Sequence, residues 1–226
     1  MEPLPRTHRW PVELRAGAVV LRPLRRGDAV GWAVVRERNR AWTGPWDATV
    51  PHESERAAPG FGQMVRALDN QARMGASLPF ALCWDQRLAA GGAASRPLRL
   101  PVQGQVTISG ITYGSARFAS CGYWIDQELA GRGIMPVAVA RSIDYCFTTM
   151  GLHRVEINIR PENAPSLRVV EKLGLRCEGL RPRFLHIDGQ WCDHLSFSVL
   201  KEEVEGAGGL LNRYLAGRPA PGEAAR

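Results

Sequence analysis

The chain has 226 residues, 45% hydrophobic and 23% charged, which excludes global disorder and collagen-like structure and leaves room for one domain or at most two. No apolar run reaches the ~18–20 residues of a membrane helix, and the polar, proline-rich residues 1–11 lack the apolar stretch of a signal peptide, so a cytoplasmic protein with no membrane partner is expected. The net charge of +7 comes from 29 basic residues, all arginine except Lys172 and Lys201, but with no block of like charges and no RNA-binding motif it predicts no direct nucleic-acid partner.

Residues 18–24 predict a first strand, and Asp28 the N-cap of a helix through about Asn39. Residues 41–60, with Trp42, Pro45, Trp46, Pro51 and Pro59, read as irregular. Phe61, Met64, Val65 and Leu68 recur at helical spacing and predict a helix over 61–74, ended by Gly75. A short strand at 80–84 leads into a Gly/Ala/Arg/Pro-rich insertion over 85–100, read as a hairpin loop. Strands follow at 102–113 and 119–125, then a turn over 126–135 and a helix from Pro136 to about Met150. Residues 154–160 alternate, with Val155, Ile157 and Ile159 on one face and Glu156, Asn158 and Arg160 on the other. A helix over 164–173 is ended by Gly174. Two last strands at 176–185 and 192–200 are joined through Asp188-Gly189, a hairpin signal. Beyond Gly206, Leu210, Leu211, Tyr214 and Leu215 fit one or two helical turns.

Cys83, Cys121, Cys146, Cys177 and Cys192 are odd in number and widely spaced, without Cys-x-x-Cys. Most of them are expected to be buried free thiols, with neither a metal site nor a disulfide framework. The order of elements predicts a mixed α/β, or α+β, domain around one sheet, without internal repeats.

Two segments carry chemistry. In Gly122-Tyr-Trp-Ile-Asp-Gln-Glu-Leu-Ala-Gly-Arg-Gly-Ile-Met-Pro136, a strand runs into a Gly-x-Gly turn that opens a helix. Such a turn is either a plain tight connection or an anion cradle. As a cradle, its backbone N–H groups and the helix N-terminus face one concavity suited to a pyrophosphate. Arg132 would add a charge-assisted bond. A dinucleotide fingerprint is a poor fit, because its third glycine falls at Pro136 and its acid falls at Glu156 in mid-strand. In Arg160-Pro-Glu-Asn-Ala-Pro-Ser-Leu-Arg-Val-Val-Glu-Lys-Leu-Gly-Leu175, Asn163 alone reads as a helix cap and Ser166 as a first-turn residue bonding backbone.

Together the two segments resemble the Gcn5-related N-acetyltransferase (GNAT) family, with its pyrophosphate loop after a central strand and its later Asn-x-x-Ser/Ala at a strand–helix junction. Ala130-Gly131-Arg132-Gly133-Ile134-Met135 keeps both central glycines. It departs at Ala130, where Gln or Arg is usual, and at Met135, where Gly or Ala is usual. Leu21-Arg-Pro-Leu-Arg-Arg-Gly-Asp28, Gly122-Tyr-Trp-Ile125, Pro161-Glu-Asn-Ala-Pro-Ser166, Glu171-Lys-Leu-Gly-Leu175 and Asp188-Gly-Gln-Trp-Cys-Asp193 resemble the RimJ/RimL branch more narrowly. The resemblance spans about 18–200. It implies an N-terminal extension over 1–17, an acetyltransferase domain over 18–200 with a loop insertion over 85–100, and a C-terminal tail over 201–226. The implied fold is a mostly antiparallel, twisted sheet of about seven strands with about four helices, whose splayed central strands hold the cofactor.

The resemblance implies acetyl-CoA as co-substrate, bound by Trp124, Ile125, Gly131, Arg132, Gly133, Ile134, Met135, Asn163 and Ser166, with no metal. The pantetheine arm would pair with the strand at 123–125, Asn163 would hydrogen-bond it, and Ser166 would sit near the thioester sulfur. The acceptor is an amine: the N-terminus of a ribosomal protein first, a small-molecule amine second, with a non-catalytic CoA-binding module as the third reading. The state is monomer or homodimer. Ser166, or water, is the candidate proton donor to the leaving thiol, and Glu156 either binds the amine, relays a proton through water, or is a solvated or ion-paired strand acid. Some family members place a Tyr where Val170 stands and a carboxylate where Asn158 stands, so both groups are absent here. Trp42, Trp46 and Trp191 are expected to shape the acceptor side, with His186 and His194 as possible substrate contacts and His153 as structural. Among residues 41–100, Asp47, Glu53, Glu55, Asp69 and Asp85 are the only acids, which disfavours a polycationic acceptor.

Overall fold

The structure, a computed structural model, describes residues 9–51, 59–97 and 100–217; the expectations that fall on 1–8, 52–58 (with Glu53 and Glu55), 98–99 and 218–226 lie outside the described residues. Eight strands form one sheet: β1 (Leu14–Ala16), β2 (Val19–Pro23), β3 (Leu78–Trp84), β4 (Gly104–Thr112), β5 (Phe118–Ile125), β6 (Arg154–Ile159), β7 (Arg176–Ile187) and β8 (Gln190–Leu200). Their order is β1-β2-β3-β4-β5-β6-β8-β7. Every neighbouring pair is antiparallel except β5 and β6. The helices are α1 (Ala29–Arg38), α2 (Arg40–Thr43), α3 (Phe61–Arg73), α4 (Gln86–Ala89), α5 (Ile134–Thr148), α6 (Ala164–Lys172), α7 (Glu202–Glu205) and α8 (Leu210–Ala216).

The sheet is mixed α/β as expected, with eight strands rather than about seven. The additional strand is β1, whose three residues are too few to show a period. It pairs Leu14 with Leu21 and Ala16 with Val19. Trp10 is buried, and its indole Nε1 donates to Asp69 Oδ1 at 2.6 Å. The N-terminal extension is therefore part of the domain from Trp10 onward.

Strand alternation divides the core between the two faces. On one face Leu21, Phe80, Leu82, Ile108, Cys121 and Ile157 pack with α5. On the other, Leu24 and Ala81 pack with Val65 and Trp32 from α3 and α1. α5 is buried almost all round, which accounts for its Ala, Val and Ile content. Truncating its fully buried Ile143 to Ala would cost roughly 2–5 kcal/mol.

α5 is also the crossover that makes β5 and β6 parallel. Their pairing covers only Phe118–Ser120 against Arg154–Glu156. Beyond it β5 stays paired with β4 as far as Ile125, and β6 with β8 as far as Ile159. Each strand is held on its outer side, so a wedge opens between them.

Three further expectations change, and one is met. Asp28 does not cap α1 with its side chain. Its carboxylate instead takes both guanidinium nitrogens of Arg22, at 2.8 Å each. The 85–100 insertion is organised by Asp85, a buried carboxylate that accepts from Ser95 N–H (2.6 Å), Ser95 Oγ (2.8 Å) and Leu88 N–H (3.2 Å). Burial pushes this carboxyl up, but the Ser95 and Leu88 bonds outweigh it and hold it below its ordinary value. The C-terminal tail is structured to Gly217. Leu210 and Tyr214 of α8 are buried in the main core, and Asp144 of α5 accepts the N–H groups of Leu210 (2.6 Å) and Leu211 (3.1 Å). The expected hairpin is present, with Asp188 (φ 47°) and Gly189 (φ 81°) both left-handed, as a type I′ turn requires.

Candidate active site

A cleft of about 360 Å³ opens at the β5–β6 wedge. Its floor is the end of β5, from Gly122 to Ile125. One wall is the turn 129–133 with the start of α5, and the other is the start of α6. Residues 42–47 close its mouth.

Gly131 (φ 80°) and Gly133 (φ 77°) both occupy the left-handed region that other residues enter only at a cost. Gly133 is the N-cap of α5, so Ile134 and Met135 begin the helix and their N–H groups have no intrahelical acceptor. No backbone bond from residues 131–135 reaches another loop or strand among the described residues. The turn is anchored from α1: Asp126 is buried and accepts from Asn39 Nδ2 (3.0 Å) and from Arg38, while Asn39 Oδ1 accepts Gln127 N–H (2.8 Å). These donors, on a fixed turn at a helix N-terminus, suit a phosphate group.

Arg132 is exposed and faces an adjoining cleft of about 680 Å³, also lined by Gly131, Gly133, Lys172, Arg213 and Tyr214. Arg168 and Lys172, one helical turn apart on α6, line the first cleft. The sequence reading missed Arg168, Lys172 and Arg213. The first two were accessible from i, i+4 spacing, whereas Arg213 arrives through the docking of α8.

At the start of α6, Asn163 Oδ1 accepts Ser166 N–H at 3.1 Å. The cap uses only the carbonyl end, so the Nδ2 amide has no partner among the described residues and remains a donor to the cleft. Ser166 Oγ lies 2.9 Å from Tyr123 Oη. From the sequence Tyr123 is assigned only as strand backbone. Burial pushes its phenol well above the ordinary value, although the Ser166 bond acts the other way. Trp124, on the opposite face of β5, meets Trp32 edge-on at 5.4 Å and lies under the Arg36 guanidinium at 5.1 Å. Ile125 lines the cleft, and its carbonyl already accepts from Trp42 Nε1 at 3.1 Å.

Of the expected cofactor residues, Trp124, Ile125, Gly131, Gly133, Ile134, Met135, Asn163 and Ser166 line one cleft, and Arg132 lines the adjoining one. Glu156 lines neither. It sits on β6 below the wedge, is 6% exposed, and has one oxygen held by Arg154 (2.7 Å) and the other by Arg181 (3.1 Å). Both of its oxygens are thus ion-paired to arginines outside the cleft. Trp42 and Trp46 line the cleft, while Trp191 is exposed and packs edge-on to His186. His186 accepts or donates with Thr49 Oγ1 at 2.8 Å, and His153 meets Glu202 at 3.2 Å. His194 is buried beside the Cys192 carbonyl, and burial keeps its imidazole below the ordinary value. Cys177 is exposed; the other four thiols are buried, and burial pushes Cys121 up to about 12. No group of three potential metal ligands occurs, and no helix is long and apolar enough to cross a membrane, among the described residues.

The profile of the acetyltransferase (GNAT) domain matches residues 18–176. The solved structure of Mycobacterium smegmatis RimJ in complex with CoA-disulfide superposes with a TM-score of 0.75 at 34% identity, covering 92% of this chain and 95% of that one. The Escherichia coli [ribosomal protein uS5]-alanine N-acetyltransferase is 29% identical over 184 residues, 81% of this chain and 88% of that protein. YjcK of Bacillus subtilis, named an N-acetyltransferase, is 37% identical over 102 residues, 45% of this chain and 56% of its own length. The chain belongs to the GNAT acetyltransferase family, and its homologues and its fold are those of N-acetyltransferases.

Proposed function

We propose that the protein transfers acetyl from acetyl-CoA to the N-terminal α-amine of a protein, a ribosomal protein first, by direct attack within a ternary complex. One observation carries the choice of acceptor. Asp47 is the sole carboxylate among the described residues lining the cleft, and Arg36 already pairs with it at 2.5 Å. Trp42 and Trp46 stand beside it. Such a mouth suits a singly charged amine and offers a polyamine nothing for its further charges. The name of the E. coli relative, a [ribosomal protein uS5]-alanine N-acetyltransferase, supports this reading.

The pyrophosphate fits the N–H groups of the 131–135 turn, and the cations Arg132, Lys172 and Arg213 suit the nucleotide end. The free amide of Asn163 suits a pantetheine carbonyl. An α-amine with a pKa of ~7.7–8.0 is partly neutral at pH 7 and needs only a weak base. A backbone N–H in the Trp124–Ile125 region would meet the developing oxyanion. Ser166 Oγ–H would stabilise the departing thiolate. The described lining of the cleft contains no cysteine, which supports direct attack over an acetyl-cysteine intermediate.

Thiol release from acetyl-CoA, followed with Ala- and Ser-starting peptides, an Nα-blocked lysine peptide and spermidine, tests the acceptor. Turnover is expected with the free N-termini, with intersecting initial-velocity lines. Turnover with spermidine alone, or with no peptide, would overturn the acceptor assignment.

A further inference from the structure

We infer that Tyr123 is a positioning residue for the leaving-group step: its phenol donates to Ser166 Oγ and so turns the Ser166 hydroxyl proton toward the thioester sulfur. This deepens the role proposed for Ser166 and rests on it.

Tyr123 and Ser166 both line the cleft, from opposite sides of the wedge. Their hydroxyls are 2.9 Å apart, and neither oxygen has another side-chain partner among the described residues. The one competing acceptor for the phenol is the Ser166 carbonyl, at 3.4 Å. A phenol is a better donor and poorer acceptor than an aliphatic alcohol, so the short contact is written as Tyr123 Oη–H donating to Ser166 Oγ. The one hydrogen of the Ser166 hydroxyl then has no acceptor among the described residues. Burial keeps the phenol protonated across the working pH range, so the donor does not switch off. Asn163 fixes the other end by holding the Ser166 N–H, which sets the helix turn that carries Oγ.

The step balances without transfer from Tyr123. The amine nitrogen bonds to the thioester carbon, the C–S bond breaks, and its electron pair leaves on sulfur. Ser166 Oγ–H hydrogen-bonds that thiolate, and one of the two protons of the attacking amine goes to solvent while the other stays on the amide nitrogen. Tyr123 remains a phenol throughout.

The test needs no acceptor. The thiol of CoA bound to the enzyme is titrated by its thiolate absorbance, as the difference between the CoA and desulfo-CoA complexes. In the wild type the bound thiol is expected below its free value. Ser166→Ala and Tyr123→Phe should each raise it by about one pH unit, the size of one charge-assisted hydrogen bond. The double variant should match Ser166→Ala alone, and Ser166→Thr should keep the sensitivity to Tyr123→Phe. In turnover, Tyr123→Phe should lower kcat about tenfold with KM for acetyl-CoA nearly unchanged. If Ser166→Ala moves the thiol but Tyr123→Phe does not, or Tyr123→Phe moves it further in the Ser166→Ala background, the positioning role is overturned. If Ser166→Ala itself leaves the thiol unmoved, the underlying role of Ser166 fails instead.

Discussion

Removing the Asp28 carboxylate should be among the most damaging single changes outside the cleft. Arg22 has no solvent exposure, and its guanidinium makes a two-pronged contact with Asp28 at 2.8 Å and 2.8 Å. Two further hydrogens, on Nη1 and Nη2, reach the carbonyls of Pro23 and Leu100 at 3.0 Å each, while Nε has no partner among the described residues. Asp28 also accepts the Arg25 N–H at 2.8 Å. Asp28→Ala therefore strands a buried cation with only neutral acceptors and frees a backbone donor at the entry to α1. Losing one partner of a buried pair costs roughly 3–5 kcal/mol. At about 2–4 °C per kcal/mol for a chain of this size, Tm should fall by about 6–20 °C. Urea unfolding should show the loss in the midpoint with an unchanged m-value. Arg22→Met/Asp28→Leu should recover most of it, because the buried charge disappears with its partner. A loss below about 1 kcal/mol for Asp28→Ala, or a double variant no better than the single, would refute the reasoning. Catalysis should respond too, since α1 carries Trp32 and Arg36 against Trp124.

Asn163→Asp keeps the carbonyl-type cap on Ser166 N–H but removes the Nδ2 donor, so acetyl-CoA Kd by calorimetry should rise about tenfold with Tm near wild type; Asn163→Ala should lose both. Gly131→Ala forces a Cβ into a left-handed conformation at a cost of about 1–2 kcal/mol, and should weaken acetyl-CoA binding rather than change the pH profile of kcat. Glu156→Gln should lower Tm and leave that pH profile in place, because its carboxylate serves Arg154 and Arg181 outside the cleft. The hydrogen bond from Arg154 brings Glu178 down from 4.5 to about 2. A carboxyl depressed in the folded state contributes stability that is full above its unfolded pKa and lost as pH falls toward the folded one. Urea midpoints should thus fall between pH 4.5 and 2, and Glu178→Gln should flatten that part of the curve.

Features written into consecutive residues were legible in the sequence. The Gly131-Arg-Gly133 turn, the Asn163 cap and the Asp188-Gly189 hairpin each need a particular backbone conformation over two to four residues. Only a few residue types supply it. The strand and helix periods likewise gave the mixed α/β layout. Family resemblance then joined the two segments that the wedge brings together.

Tertiary structure decided what depends on neighbours far along the chain. Alternation places Glu156 on the polar side of β6 but says nothing of Arg181, 25 residues away, which takes one of its oxygens. Tyr123 reads as one more strand aromatic until α6 sets Ser166 43 residues later against its hydroxyl. The arginine surplus of the first 40 residues divides in the same way. Its sum is visible in the sequence, yet Arg22 proves to be a buried structural cation held by Asp28, while Arg36 faces the cleft mouth through Asp47. Local backbone preference acts over a few residues and leaves its mark in the letters. The partner of a side chain is set by sheet register and helix docking, which the letters specify only through the whole fold.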